Sequence, residues 1–405
     1  MTRAFVAAAT LCATLWAPSA LAAGFTETLP AGTFMLDISY NRSWLSHAYD
    51  NSGNFSPLID KIYRYEPGGG LQGIITPDVS VTYQILVMQL QYGLLDNLSL
   101  GIGVPLVLSS TVDPALKWTP GDYQQVLGRP YSEKDFWDWA GSMGQPKPGR
   151  WTGNQGTLSD IILGLKYRFT DRFTRFRDAG FAASAMVTGA LPTGSPPDPE
   201  EILAAGTTSW DLHTQGELGA HLSLDKTFKE SLDDRLTLGL DVFYEAFFAH
   251  RMVTPRGTIH PLLLNYAPYV GDHYTFDPGD FSGFSFQADV TPYKGPVRAS
   301  WLSGGDGVRA AAFPPMVAVS LRYTFTYIQQ SDWHSASELW DWDHEKLWRP
   351  GYKNILNNRL TVSLLRVGAP VQLYLNCRTL TLLPGKNTRA ADVLAAGIQV
   401  PVKFW

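Results

Sequence analysis

Cysteine is nearly missing from this chain of 405 residues: there are two, and one, Cys12, lies in an apolar leader. Without that leader only Cys377 remains, which excludes an intramolecular disulfide and any disulfide-stapled scaffold. Charge is also scarce, at 17% of residues, against about 25% in ordinary soluble domains. The formal net charge is −5, so the basic face that a nucleic-acid partner needs is not there. No segment beyond the leader reaches the roughly 18 unbroken apolar residues of a membrane-spanning helix. Enzyme signatures are missing too. There is no Walker loop, no HExxH and no CxxC, and Gly101-Ile102-Gly103 lacks the next glycine of a dinucleotide loop and falls within a strand pattern. Asp341, Asp343 and His344 read as a solvated acidic loop, and Gly304–Gly307 as a turn. The chain is not expected to be an enzyme, and no cofactor or metal is expected.

Apolar residues are plentiful at 45%, with Trp 13, Tyr 18 and Phe 20, yet mean hydropathy is close to zero. A wall with one face in lipid and one in water combines these properties, and aromatics gather in girdles at its two rims. Arg3, the apolar run Ala4–Trp16 and the small-x-small site Ala20-Leu21-Ala22 form a secretory leader. Residues 1–22 are therefore expected to be a signal peptide, and 23–405 the mature domain.

The clearest pattern runs from Trp210 to Leu224. Trp210, Leu212, Leu218, Ala220 and Leu224 alternate with Asp211, His213, Gln215, Glu217, His221 and Ser223. In a strand these sets lie on opposite faces. Eleven more segments read as strands: Thr33–Trp44, Val79–Leu94, Leu98–Leu108, Ser159–Phe169, Phe181–Leu191, Arg235–Ala249, Phe281–Thr291, Met316–Tyr327, Asn358–Val367, Val371–Leu382 and Asp392–Trp405. The phase of the second flips near Ile85-Leu86, which predicts a bulge there.

Links between strands alternate short and long. Leu95–Asn97, Thr170–Gly180, Asp225–Asp234 and Gly368–Pro370 are short or moderate. Leu45–Asp78, Ser109–Leu158, Pro192–Ser209, Arg251–Asp280 and Ile328–Asn357 are long; Pro292–Pro315 is a long link on the short side. Twelve strands, short turns at one end and long loops at the other predict an all-β, antiparallel transmembrane barrel with both termini periplasmic. A secreted β-sandwich would alternate as well, but with shorter strands and more even loops. The last strand ends Val402-Lys403-Phe404-Trp405, an alternating, aromatic end that resembles the assembly signal of outer-membrane barrels, with Phe404 in phase.

On the predicted inner wall lie Asp211, His213, Glu217, His221, Asp241 and Glu245, and on other strands Lys166, Arg168, Arg322, Arg378 and Lys403. Such charges either neutralise one another across a filled interior or line a route for solute. Two long loops share the pattern S-x-x-[acid]-[apolar]-W-D-W, at Ser132–Trp139 and Ser335–Trp342. Serine with an acid three residues later starts a helix, so Trp137, Trp139, Trp340 and Trp342 are expected on short helices at the barrel mouth, where they either pack on themselves or collect apolar ligands. His213 and His221 are also candidate bases for a lipid hydrolase, although no motif places a serine beside them.

Three segments carry a family resemblance. Tyr92–Pro105, Leu158–Tyr167 and Ala190–Gly194 resemble the hairpin, strand and Leu-Pro-Thr-Gly strand end of an outer-membrane protein family associated with the meta-pathway of phenol degradation. Ser159 stands where the family has glycine, and the Ser109–Leu158 insertion is long. The resemblance implies a barrel that passes small, apolar or aromatic compounds; no functional residues carry over. The expectation is a passive channel in the outer membrane of a Gram-negative bacterium. Its expected partners are outer-membrane lipids, the barrel-assembly machinery and a small-molecule substrate. A non-conducting surface barrel and an outer-membrane lipid hydrolase are the other readings.

Overall fold

A computed structural model describes residues 25–403 except 59–60, 67, 123–128, 143–146, 148, 154–155, 195–215, 229–234, 254–272, 278, 297–315, 332–333, 336–349 and 365–369. Twelve long strands follow one another: β1 (Thr33–Tyr49), β2 (Leu71–Leu95), β3 (Leu98–Pro120), β4 (Ile161–Arg168), β5 (Phe181–Leu191), β6 (Glu217–Thr227), β7 (Leu236–Phe247), β8 (Phe281–Pro296), β9 (Met316–Gln330), β10 (Gly351–Ser363), β11 (Gln372–Thr379) and β12 (Thr388–Lys403). Each pairs antiparallel with its neighbours, and β1 pairs with both β2 and β12. The sheet is thus a closed twelve-stranded barrel without a free edge, the arrangement that leaves no backbone donor or acceptor facing lipid. Thr33 lies opposite Lys403, so both ends of the barrel chain share one rim, as expected.

The alternation works as the sequence pattern requires. Leu36, Ile38, Tyr40, Leu218, Leu222, Leu224, Leu240 and Val242 point outward and are exposed, while Asp37, Ser39, Ser223 and Asp241 point inward and are buried. Apolar groups on the outside and polar groups within are the reverse of a soluble domain. They place the solvent for the outer face in the bilayer.

Several boundaries depart from expectation; β1 and β8 run on to Tyr49 and Pro296. The second and third strands run far past their predicted ends, to Leu71 and Pro120, into what reads as loop. The break near Ile85 is a register shift between Gln84 and Ile85, but the extra residue, Leu108, belongs to β3. On β2 the odd positions stay inward throughout. The apparent flip arises because the inner face itself changes from Val79, Val81, Ile85 and Val87, all buried, to Gln89 and Gln91. The tenth strand starts at Gly351 rather than Asn358, because its outward Asn354 and Asn358 and inward Ile355 blur the two-residue period.

The first predicted loop helix is present as α1 (Glu133–Ser142). Asp135 N–H donates to Ser132 Oγ (3.3 Å) and Ser132 N–H to Asp135 Oδ2 (2.8 Å), the reciprocal bonds of a capping box. Arg129 grips the same carboxylate with both guanidinium nitrogens, at 2.5 and 2.7 Å, and holds the Asp135 carboxyl well below the usual range. The second such loop, with Trp340 and Trp342, lies outside the described residues, as do residues 1–22, expected to be a signal peptide, and most of Pro292–Pro315.

Leu222 lies mid-strand on the outer face and is 58% exposed. Leu222→Arg is predicted to weaken folding into phospholipid vesicles by about 2–4 kcal/mol, the cost of a cation at the bilayer midplane. An unchanged denaturant midpoint would show that this face does not meet lipid.

Candidate functional site: the barrel lumen

The inward residues enclose a cavity of about 290 Å³, near the low end for small-molecule sites. Its lining is of two kinds. Ile85, Ile162, Phe243, Phe281, Ile328, Ile355 and Val393 are among its apolar residues; most of the others are charged or polar. Of the predicted luminal residues, Lys166, Glu217, His221, Asp241, Glu245, Arg322 and Arg378 all line this one space.

Acids collect on β6, β7 and β8. His221 Nδ1 meets Asp241 Oδ2 at 3.0 Å, and Ser223 Oγ donates to Asp241 Oδ1 at 2.6 Å. Register explains the grouping: Ser223 lies opposite Asp241, and Gly219 opposite Glu245. The arrangement is an acid holding an imidazole, but the serine is bound to the acid, not to the ring. A hydrolase needs its nucleophile on the other ring nitrogen, and among the described residues Asp241 is the only hydrogen-bond partner of His221.

Cations collect on β9, β10 and β11. Arg322 is paired with Asp289 at 2.8 Å. The Arg359 guanidinium lies over the Tyr374 ring at 3.8 Å, and Tyr374 in turn donates to Asp37 at 2.8 Å, beside Gln399, which donates to the same carboxylate at 2.5 Å. The acidic sector β6–β8 and the cationic sector β9–β11 adjoin around the ring, and among the described luminal pairs only Arg322–Asp289 and His221–Asp241 make direct contact.

Residues 25–31 are bound at the rim that carries the short turns, and Phe25 lines the cavity. Phe25 N–H and Thr26 N–H donate to Asp225 at 3.1 and 2.7 Å, and Thr26 Oγ1 donates to it at 2.7 Å. Lys166 Nζ donates to the Phe25 carbonyl at 2.9 Å. Further along, Leu29 N–H donates to Ser99 Oγ and Ala31 N–H to Asp96 Oδ1. Two glycines make room: a Cβ on Gly93 would stand 2.1 Å from the Pro30 carbonyl oxygen, and one on Gly239 2.8 Å from the Phe25 ring. Thr26 and Asp225 are both almost fully buried.

Several sequence-derived assignments change. Asp225 reads as the first residue of a turn, yet β6 continues to Thr227 and puts Asp225 on the inner wall. Continuing the odd-numbered series Glu217, Gly219, His221, Ser223 by one step would have found it. Lys353 and Asn357 read as loop and are luminal on β10. Arg168 does not line the cavity: it sits at the end of β4, bound to Asp171 at 2.7 and 2.8 Å, because the chain turns there into a short 3₁₀ helix, Phe169–Arg172. Asp211 and His213 lie outside the described residues. Trp137 and Trp139 pack on Phe136 in a small core with Ile75 and Trp118, and Arg64 lies 3.8 Å over Trp139. That is loop self-packing above the barrel, away from the luminal cavity.

Asp225 carries three hydrogen bonds to the segment across the lumen, and bonds to a buried charge contribute about 1.5–3 kcal/mol each. Asp225→Ala is therefore predicted to free residues 25–26 and to raise single-channel conductance in planar bilayers several-fold. Wild-type conductance in the variant would mean that the segment does not limit the pore.

No family model matches the chain, and no curated protein does. Solved structures do. An outer membrane channel from Pseudomonas putida F1 is similar over 93% of this chain and 98% of its own, at 12% identity and a TM-score of 0.50. The NanC porin is similar over 90% and 98% (8% identity, TM-score 0.37), and the β domain of the Bordetella autotransporter BrkA over 91% and 99% (11%, 0.37). At 12% identity the likeness to the Pseudomonas putida F1 channel speaks for the fold alone, and the fold is that of an outer-membrane β-barrel.

Proposed function

We propose that the protein is an outer-membrane channel through which small, predominantly apolar molecules pass by diffusion. The observation that carries this reading is the mixed lining of the luminal cavity. Phe243, Phe281, Ile328, Ile355, Ile85 and Ile162 face the same space as the charged walls, and a further apolar group, Val79, Val81 and Val112 with Leu45, is buried nearby on the inner side of β1–β3. A pore for ions or sugars needs a continuous water column. Here apolar side chains share that lining, and such a surface favours solutes whose transfer from water is driven by burial of apolar area. The likeness to the Pseudomonas putida F1 channel, and the resemblance of Tyr92–Gly194 to the phenol-pathway family, point the same way. Export with a cleaved leader, insertion by the barrel-assembly machinery and a Gram-negative host belong to the same proposal.

The test is transport across vesicles whose outer leaflet is lipopolysaccharide. Protein-bearing vesicles should admit phenol faster than protein-free ones and exclude sucrose. Equal phenol rates with and without protein would leave the non-conducting surface barrel in its place. Hydrolysis of phospholipid by the same preparation, lost in His221→Ala, would favour the enzyme reading instead.

A further inference from the structure

The cations on the β9–β11 wall are not all answered by the acids that face them. Arg322 has Asp289, and Arg359 has the Tyr374 ring. Lys353, 6% exposed, makes no hydrogen bond or ion pair with any described residue, and Arg378 Nε is buried without an acceptor. These two also act on each other electrostatically, as like charges, while Glu245 acts on Lys353 in the opposite sense without bonding to it. A pair of buried cations with no bonded counter-charge is costly unless an anion joins them. The acids opposite do not carry the same implication. A desolvated carboxyl can take up a proton and become neutral, whereas a guanidinium cannot shed one.

Apolar side chains lie beside the pair. Ile355 is the next inward residue after Lys353 on β10, Val393 lies directly across from Arg378 on β12, and Phe281 and Ile328 line the same cavity. A purely polar anion would gain nothing from these neighbours, and a hydrocarbon would leave the charges unanswered. A molecule with a carboxylate at one end and an apolar body satisfies both.

We propose that Lys353 and Arg378 form a binding site for the carboxylate of an amphipathic acid, whose apolar body lies on Ile355, Val393, Phe281 and Ile328. This rests on the uptake reading and narrows its substrate class from apolar molecules to apolar monocarboxylates. Arg378 offers a fork of N–H donors matched to a carboxylate, and Lys353 a second, mobile ammonium.

The experiment measures equilibrium binding of radiolabelled octanoate, 1-octanol and octylamine to full-length protein in micelles of an uncharged detergent, with empty micelles as the blank. Wild-type protein should bind octanoate at least about tenfold more tightly than octanol, the scale of one charge-assisted hydrogen bond. The double variant Lys353→Gln, Arg378→Gln should lose that preference and keep the octanol affinity. The exchange variant Lys353→Arg, Arg378→Lys should keep the preference, and retained octanol binding shows that each variant is folded. Equal binding of acid and alcohol by the wild type, a preference that survives the Gln pair, or a preference for the amine would each overturn the proposal while leaving the uptake reading intact. Failure of all three ligands to bind would overturn both.

Discussion

Closure of the sheet is the constraint on which everything else depends. A strand in lipid cannot leave its N–H and C=O groups unpaired, and β1 meets this by bonding to β2 on one side and β12 on the other. Once the ring is closed, every strand has one face in the bilayer and one in the interior. The two-residue period then decides the fate of each side chain. Leu218, Leu222 and Leu224 go to lipid; Glu217, Ser223 and Asp225 go inside. With twelve strands, the interior is wide enough to keep a cavity and narrow enough for side chains on facing walls to influence one another.

Within that ring, sequence order becomes angular position. Neighbouring strands β6 to β8 carry Glu217, Asp225, Asp241, Glu245 and Asp289, and the next three carry Arg322, Lys353, Arg359 and Arg378. Acids and bases that are segregated along the chain are thereby segregated around the lumen, and a field crosses the pore at right angles to its axis. A third sector, on β2 and β3, carries the inward apolar residues Val79, Val81, Ile85, Val87, Val107 and Val112. A solute in the lumen therefore meets three different walls, and a molecule with two unlike ends has a preferred orientation there.

Most of this frame could be read in advance. Strand number, order, shared rim and the direction of each face follow from alternation alone, and Phe181–Leu191 was bounded to the residue. The capping box of the Ser132 loop was equally local, since its bonds span three residues. What escaped was of two kinds. Lys353 and Asn357 lie where inward Ile355 and outward Asn354 break the alternation, so no one-dimensional signal marks the strand. The contacts of Asp225 with Phe25 and Thr26 join residues nearly 200 apart, and nothing in a sequence period reports which distant segment will fill a lumen. The bulge at Leu108 shows a third limit: a change of lining on β2 looks the same in sequence as a change of register.

The bonds from Asp225 to Phe25 and Thr26 bear on how the barrel forms. The acceptor lies on the sixth strand and the donors precede the first, so the contact cannot be made until half the wall has been laid down. Until then the leading residues have no fixed place. Ordering them late joins the two ends of a long loop, and contacts of such separation slow folding because chain entropy is lost before they are gained. Phe25 and Thr26 are in this sense late to settle, and they take their place against the wall only once β6 is there to hold them.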